Sequence, residues 1–327
     1  MIKIIGGSGF VGTRLSKRFE KKHKNFTIVD KVKSKTFSEK TNIADVRDVD
    51  SLRDFLENGD IIINLAAEHR DDVTPKSLYD DVNVQGARNI CKVADEKNIN
   101  TIIFTSSVAV YGFAPIGTDE NGKFNPFNDY GRTKLEAEYV LKEWQQKDPQ
   151  NRKLIIIRPT VIFGEQNRGN VYNLLRQIAS GKFLMIGDGK NRKSMAYVEN
   201  VAVFLEHSLS FENGIHIYNY IDKPDFDMNT LVQKVYKALG KDESIPFRLP
   251  FAIGYGIGKI FDIVALITGK KFAVSSIRVK KFCADSVYNT SIEKTGFIPP
   301  VKLEDALENT IKYEFVDKKQ GELFYSE

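Results

Sequence analysis

Along the first half of the chain the apolar residues alternate between two spacings. Short, largely apolar runs stand at 2–5, 26–29, 61–65, 101–104 and 154–158, with a weaker one near 42–43. Such runs read as strands buried on both faces. The polar stretches between them carry apolar residues at helical spacing and predict helices to about residue 22, to about 57, over 78–97 and from 130 to about 146. Strands alternating with helices mean a parallel sheet wrapped on both faces, an α/β doubly wound (Rossmann) architecture. Further helices are expected over 171–180, 199–209, 228–239 and 303–313, with a strand at 215–219 returning to the sheet.

One stretch breaks this rhythm. Residues 249–271 are mostly apolar, interrupted by Gly254, Gly256, Gly258, Lys259 and Asp262. A membrane-spanning helix needs about 20 apolar residues with few charges; this stretch is barely long enough and holds two charges, so a span is rejected. In helical projection Ile253, Ile257, Ile260, Val264 and Ile267 share one side, while Phe251, Tyr255 and Leu266 lie opposite. Such a helix is either a buried lid or partly immersed in lipid. Flanking Arg248, Lys270, Lys271, Arg278, Lys280 and Lys281 favour an anionic inner-leaflet membrane surface.

Glycines mark the passage from the first strand to the first helix as Gly6-x-x-Gly9-x-x-Gly12, enclosing Phe10 and Val11. The spacing serves a tight turn through which backbone N–H groups at a helix N-terminus approach a pyrophosphate. The second strand leads into Asp30, a carboxylate suited to a ribose 2′-hydroxyl and repulsive to a 2′-phosphate, which favours NAD over NADP. Lys31 and Lys33 weaken that preference. Ligands of such sheets bind at the carboxyl ends of the strands, so Asp45, Val46, Leu65, Ala66 and Ala67 fall on the cofactor side. His69, in the polar loop 68–72, reads as a hydrogen-bonded loop residue.

Tyr130 and Lys134 are four residues apart, hence one turn apart on one helix face. A free phenol titrates near 10, about three units above a base working at neutral pH, and a neighbouring ammonium supplies part of that shift. Ser107 lies in a Ser/Thr-rich strand end where a hydroxyl either satisfies a turn or meets a ligand. Charge adds little, because a net +5 over 327 residues excludes any strong case for nucleic acid. Cys91 and Cys283 have no metal-ligand spacing and read as buried thiols of a reducing compartment. No metal is expected. Met1 leads directly into a strand, with no charged leader, which fits a cytoplasmic location.

Taken in order, the glycine spacing, Asp30, Asp45-Val46, Ser107 before Tyr111-Gly112, Tyr130-x-x-x-Lys134 and Arg158-Pro159 resemble the extended short-chain dehydrogenase/reductase family of nucleotide-sugar epimerases and dehydratases. The resemblance implies that Ser107 binds the reacting hydroxyl, that Tyr130 is the base, and that Lys134 holds the nicotinamide ribose and lowers the Tyr130 pKa. It implies tightly bound NAD lined by Gly6, Gly9, Phe10, Val11, Gly12, Asp30, Asp45, Val46, Leu65, Ala66, Ala67, Tyr130, Lys134 and Pro159. Val108-Ala109-Val110 replaces the Asp-Glu pair that dehydratases carry there, which argues against dehydration. The implied division is an NAD-binding domain over 1–164, with 197–220 returning to it, and a smaller carboxyl-terminal substrate lobe from 165–196 and 221–327.

Longer stretches, among them 65–73, 158–164 and 273–284, resemble members of the family that invert C4 of N-acetylglucosamine carried on undecaprenyl diphosphate for O-antigen biosynthesis. The implied substrate is that lipid-linked amino sugar, met at the inner face of the cytoplasmic membrane, and a homodimer is left open. The family's diphosphate-side Arg-Asp pair aligns here with Lys193-Ser194. Lys lacks the bidentate fork of Arg, so Arg192 or Arg278 is expected to compensate, beside Asn170 and Ser107. Rival readings are a 4-epimerase of soluble UDP-N-acetylglucosamine, a net NAD-dependent sugar dehydrogenase and a non-catalytic NAD-sensing module.

Overall fold

A computed structural model describes residues 1–70, 73–245, 247–269, 275–317 and 319–325. Asp71 and Asp72 of the polar loop, and Lys270, Lys271 and Ala273, all used in the readings above, lie outside the described residues. Seven strands form one parallel sheet: β1 (Ile2–Ile5), β2 (Phe26–Asp30), β3 (Thr41–Ile43), β4 (Ile61–Asn64), β5 (Thr101–Thr105), β6 (Lys153–Pro159) and, far downstream, Gly214–Tyr220, which is β10 in chain order. Their spatial order is β10-β6-β5-β4-β1-β2-β3. The chain runs outward from β1 to β3 and then crosses to β4 on the other side of β1. Such reversals of strand order place the ligand crevice.

The isoleucine runs explain the two-sided burial. Neighbouring positions on a strand point to opposite faces. Ile4, Ile28, Ile63, Ile103 and Ile155 are in register across five strands and pack on Leu15 and Phe19 of α1 (Phe10–Lys21) and Val201, Phe204 and Leu205 of α7 (Val198–His207). Ile5, Val29, Ile62, Phe104 and Ile156 face the other way, onto α2 (Val49–Arg53), α4 (Gly86–Glu96) and α5 (Asp129–Gln146). The helix expected over 78–97 begins as α3 (Ser77–Tyr79) and passes through a wide π-type turn, Asp80–Gln85, before α4. In that turn the Asn83 side chain donates to Glu68 O and to Thr133 Oγ1 (both 2.9 Å), tying the loop after β4 to α5.

A third core gathers α6 (Asn170–Ala179), α8 (Met228–Ala238) and α11 (Leu303–Ile311) around Leu175, Met195, Val232 and Leu307. It also contains short strands that the apolar pattern does not announce: β7 (Val161–Phe163), β9 (Arg192–Tyr197) and β11 (Asp222–Asp227), which pair with one another, and β8 (Met185–Ile186) with β12 (Arg248–Leu249).

The apolar stretch forms α9 (Phe251–Thr268), closed by Gly269 in the left-handed conformation. The buried-lid alternative fails, since only 11% of this 18-residue helix, of mean hydropathy 1.6, is buried. Gly254 and Gly258, four residues apart, are its buried positions. A Cβ on Gly258 would lie 2.7 Å from the Ser276 backbone of α10 (Ser276–Cys283), and one on Gly254 would lie 2.9 Å from Ile186. One turn further, Asp262 accepts from Ser276 N. The helix thus rests on the body by a narrow stripe and exposes Ile253, Ile260, Ile263, Leu266 and Ile267. Of the two thiols, Cys91 is buried and Cys283 only half-buried.

Candidate active site

The carboxyl ends of the central strands open into a cleft of about 950 Å³. Gly6, at φ +75°, is where the backbone crosses closest: a Cβ there would lie 2.5 Å from Ala66 N. Gly12 is equally confined, with a Cβ 2.5 Å from Gly7 Cα, so α1 packs directly on its own turn. At Gly9 the nearest atom to an added Cβ is Gly6 O at 3.5 Å; the space a side chain would take is cleft. No side chain caps α1, which leaves its first N–H groups for an anion. The Asp30 carboxylate is held at the rim by the N–H groups of Ser8 and Val32 (both 3.0 Å). These are the demands of a dinucleotide pyrophosphate and ribose, and the residues present fit NAD. Phe10, Val11, Val46, Leu65, Ala67 and Pro159 also line the cleft, as do Lys31 and Lys33. Asp45 lines it while gripped bidentately by Arg47, which holds its carboxyl below the usual range.

Farther along the same wall lie the hydroxyls. Ser107 follows β5, and its Oγ accepts from Ala109 N at 3.1 Å. Helix α5 is capped by Asn128, whose side chain accepts from Gly131 N at 2.9 Å. A Cβ on Gly131 would stand 2.5 Å from Ala109 O; the missing side chain lets α5 abut the turn after Ser107. That approach brings Tyr130 within hydrogen-bond reach of Ser107. One turn on, Lys134 is 2% exposed; its Nζ donates to Thr105 O at 2.7 Å and lies 4.6 Å from the Phe104 ring centre.

The electrostatics depart from the expectation that Lys134 lowers the Tyr130 pKa. Burial pushes the Tyr130 phenol above its ordinary value, opposed only by the Ser107 hydrogen bond. Burial also brings the Lys134 amine down to about 7, against the pull of the Glu138 carboxylate. Desolvation therefore dominates both groups.

Behind them runs a buried polar network absent from the sequence reading. Glu138 accepts from Ser106 Oγ (2.6 Å) and from Arg158 twice (2.8 and 2.6 Å), and Arg158 donates to Tyr111 OH (2.6 Å). Tyr111 OH donates to Asn219 Oδ1 at 2.8 Å, linking the network to β10. The signal was Glu138 itself, on the stripe Tyr130, Lys134, Glu138.

The substrate-side candidates separate. Asn170, at the start of α6, lines the cleft, as does Lys193. Lys193 Nζ is committed to Lys281 O (2.9 Å) and Ala284 O (2.6 Å), bracing α10, and burial lowers its pKa. Arg192 and Arg278 are exposed and stand outside the cleft lining, which instead holds Lys281, Asp285, Ser286 and Tyr288. His69 and Tyr325 line it too.

Residues 2–219 match the family model described as the NAD dependent epimerase/dehydratase family. The chain is 51% identical, over 99% of its length and 98% of the relative's, to the N-acetyl-α-D-glucosaminyl-diphospho-ditrans,octacis-undecaprenol 4-epimerase of Escherichia coli O157:H7. Among solved structures it is similar to UDP-N-acetylglucosamine 4-epimerase from Bacillus cereus (TM-score 0.73, 17% identity, 95% of this chain and 97% of that one). A second is the UDP-glucuronic acid 4-epimerase of the same organism in complex with NAD (TM-score 0.73, 17% identity, 97% and 99%).

Proposed function

The chain belongs to the NAD-dependent epimerase/dehydratase family, and from that premise we propose that it inverts C4 of N-acetylglucosamine carried on undecaprenyl diphosphate, giving the N-acetylgalactosamine epimer. The observation that carries the reading is the Ser107–Tyr130 contact at the end of an NAD cleft, in a chain whose near-full-length relative is named for that reaction. Bound in the cleft, NAD supplies a hydride acceptor that becomes the donor of the return step. Ser107 holds the 4-hydroxyl, and Tyr130, as the phenolate that the positive charge of bound NAD would favour against the burial that raises its pKa, takes the proton as C4 is oxidised. The 4-keto sugar turns within the cleft and is reduced on its other face, and Tyr130 returns the proton to the C4 oxygen. No net redox change results. Lys134, fixed to Thr105 O, would hold the nicotinamide ribose when NAD is bound.

Residues 165–196 and 221–327 supply the substrate lobe, with Asn170 and Lys281 on the diphosphate side and Lys193 bracing the wall beneath it. The protein works as a peripheral protein on the inner face of the cytoplasmic membrane, through the exposed apolar face of α9. Exposed Arg278 and Lys280 beside it suit anionic headgroups.

The test presents purified protein with undecaprenyl-diphosphate-linked N-acetylglucosamine and, in parallel, with UDP-N-acetylglucosamine, and analyses the released sugars. The C4 epimer from the lipid-linked substrate is expected. Turnover of the nucleotide sugar alone overturns the substrate, accumulation of free NADH makes the protein a dehydrogenase, and failure of any sugar to reduce bound NAD leaves a binding module.

A further inference from the structure

The segment 319–325 lies across the cleft and joins parts of the chain that are remote in sequence. Phe324 N donates to Gln166 O (2.9 Å) and Arg168 N donates to Phe324 O (2.7 Å), a parallel bridge to the loop after β7. Its ring, 8% exposed, stands 5.7 Å from that of Phe10, the first residue of α1. Two residues earlier Glu322 accepts from Thr36 Oγ1 at 2.9 Å, beyond Asp30 on the ribose side. Gly321 is pressed against Gln166 and Tyr313, where a Cβ would approach the Gln166 side chain to 2.0 Å. Glu322, Leu323, Phe324 and Tyr325 all line the same cleft as the glycine turn.

Each of these contacts has a structural use, but together they make a wall. Thr36 stands on the ribose side, while Phe10, Gln166 and Arg168 form one patch at the other end of the segment, where Arg14 of α1 already donates to Glu165 O and Gln166 Oε1. A ligand lying along the glycine turn is therefore enclosed on its outer side by this segment. We infer that residues 321–325 form a strap over the adenosine-diphosphate half of NAD, with Phe324 as its anchor, and that the strap must detach from Gln166 and Phe10 before the dinucleotide can exchange. The inference rests on the cofactor of the proposed reaction and adds the element that retains it between turnovers. Retention suits a reaction that regenerates its cofactor in every cycle.

The experiment loads the full-length protein with radiolabelled NAD and follows release of label into excess unlabelled NAD. Phe324→Ala keeps the backbone bridge and removes the ring that meets Phe10 and lines the cleft, and Glu322→Ala removes the acceptor for Thr36 Oγ1. Each should speed release tenfold or more, and the Glu322 variant, whose tie to Thr36 is exposed, should do so without shifting the melting temperature of the NAD-free protein. Truncation after Asp317 removes the whole strap; it should purify with little NAD, and excess NAD should restore its turnover. Unchanged release in Phe324→Ala together with full NAD content in the truncated protein overturns the strap. Release is read without any sugar, so a wrong assignment of the epimerase substrate leaves this outcome unaffected.

Discussion

At the scale of single residues, Tyr130 is the group proposed to exchange a proton with the C4 oxygen. Tyr130→Phe keeps the ring and loses that proton acceptor, so turnover should fall by about 10²–10⁴ while NAD still copurifies; equal turnover in the variant would remove Tyr130 from the mechanism. Lys134 makes a sharper prediction because its folded pKa is about 7, far below the roughly 10.4 of an unfolded Lys. Between those values the unfolded chain binds the extra proton, so this site's contribution to stability rises with pH across the window, at about 1.4 kcal/mol per unit. Below 7 both states are charged and the contribution is flat. Urea unfolding of NAD-free protein at pH 7 and pH 9 should show this rise, and Lys134→Met should lack it; parallel pH profiles would refute the assignment. Spacing alone revealed Tyr130 and Lys134, because i and i+4 fix a helix face without any knowledge of packing. It did not reveal Gly131, whose need is the Ala109 carbonyl brought up by another segment, nor that Lys193 spends its donors on carbonyls some 90 residues away.

Elements were legible in proportion to how far local pattern determines them. The central Ile-rich strands are buried on both faces and advertise it; the edge strands β3 and β10, only partly buried, were visible more weakly. The strands β9 and β11 were not, because their polar residues are satisfied by partners across the chain: Ser194 Oγ donates to Asp225, and Asp222 accepts from Tyr197 N and from Asn200; β7, three apolar residues long, is too short to set a pattern. Helix α9 was legible as apolar, but its exposure was not. Glycine decides that question, since the Gly254 and Gly258 positions are its contact stripe on β8 and α10. Gly258→Val forces side-chain atoms into the Ser276 backbone, and overpacking of this kind costs roughly 1–3 kcal/mol. The melting temperature should drop by several degrees, whereas Gly256→Ala, which meets nothing within 4 Å, should leave it unchanged or raise it. Equal behaviour of the two variants would mean that α9 is not seated as described.

At the scale of the whole molecule, the apolar helix and the cleft are mechanically one assembly. Helix α9 packs on α10, and α10 carries Lys281, which lines the cleft with its Nζ 4.1 Å from the Phe127 ring centre. A protein lying on a bilayer through α9 would hold the cleft within reach of a diphosphate projecting from the lipid, while the sugar extends inward to Tyr130. Such an arrangement would separate docking from chemistry. Charging the exposed face with Ile257→Glu, Ile260→Glu and Val264→Glu should abolish flotation with vesicles rich in phosphatidylglycerol and cut turnover of membrane-embedded substrate at least tenfold. The same variant should turn over a short-chain, water-soluble analogue of the lipid-linked sugar at the wild-type rate, because none of the three positions lines the cleft. Loss of both activities would mean that α9 stabilises the substrate lobe. Retained flotation would mean that the membrane is met by another surface.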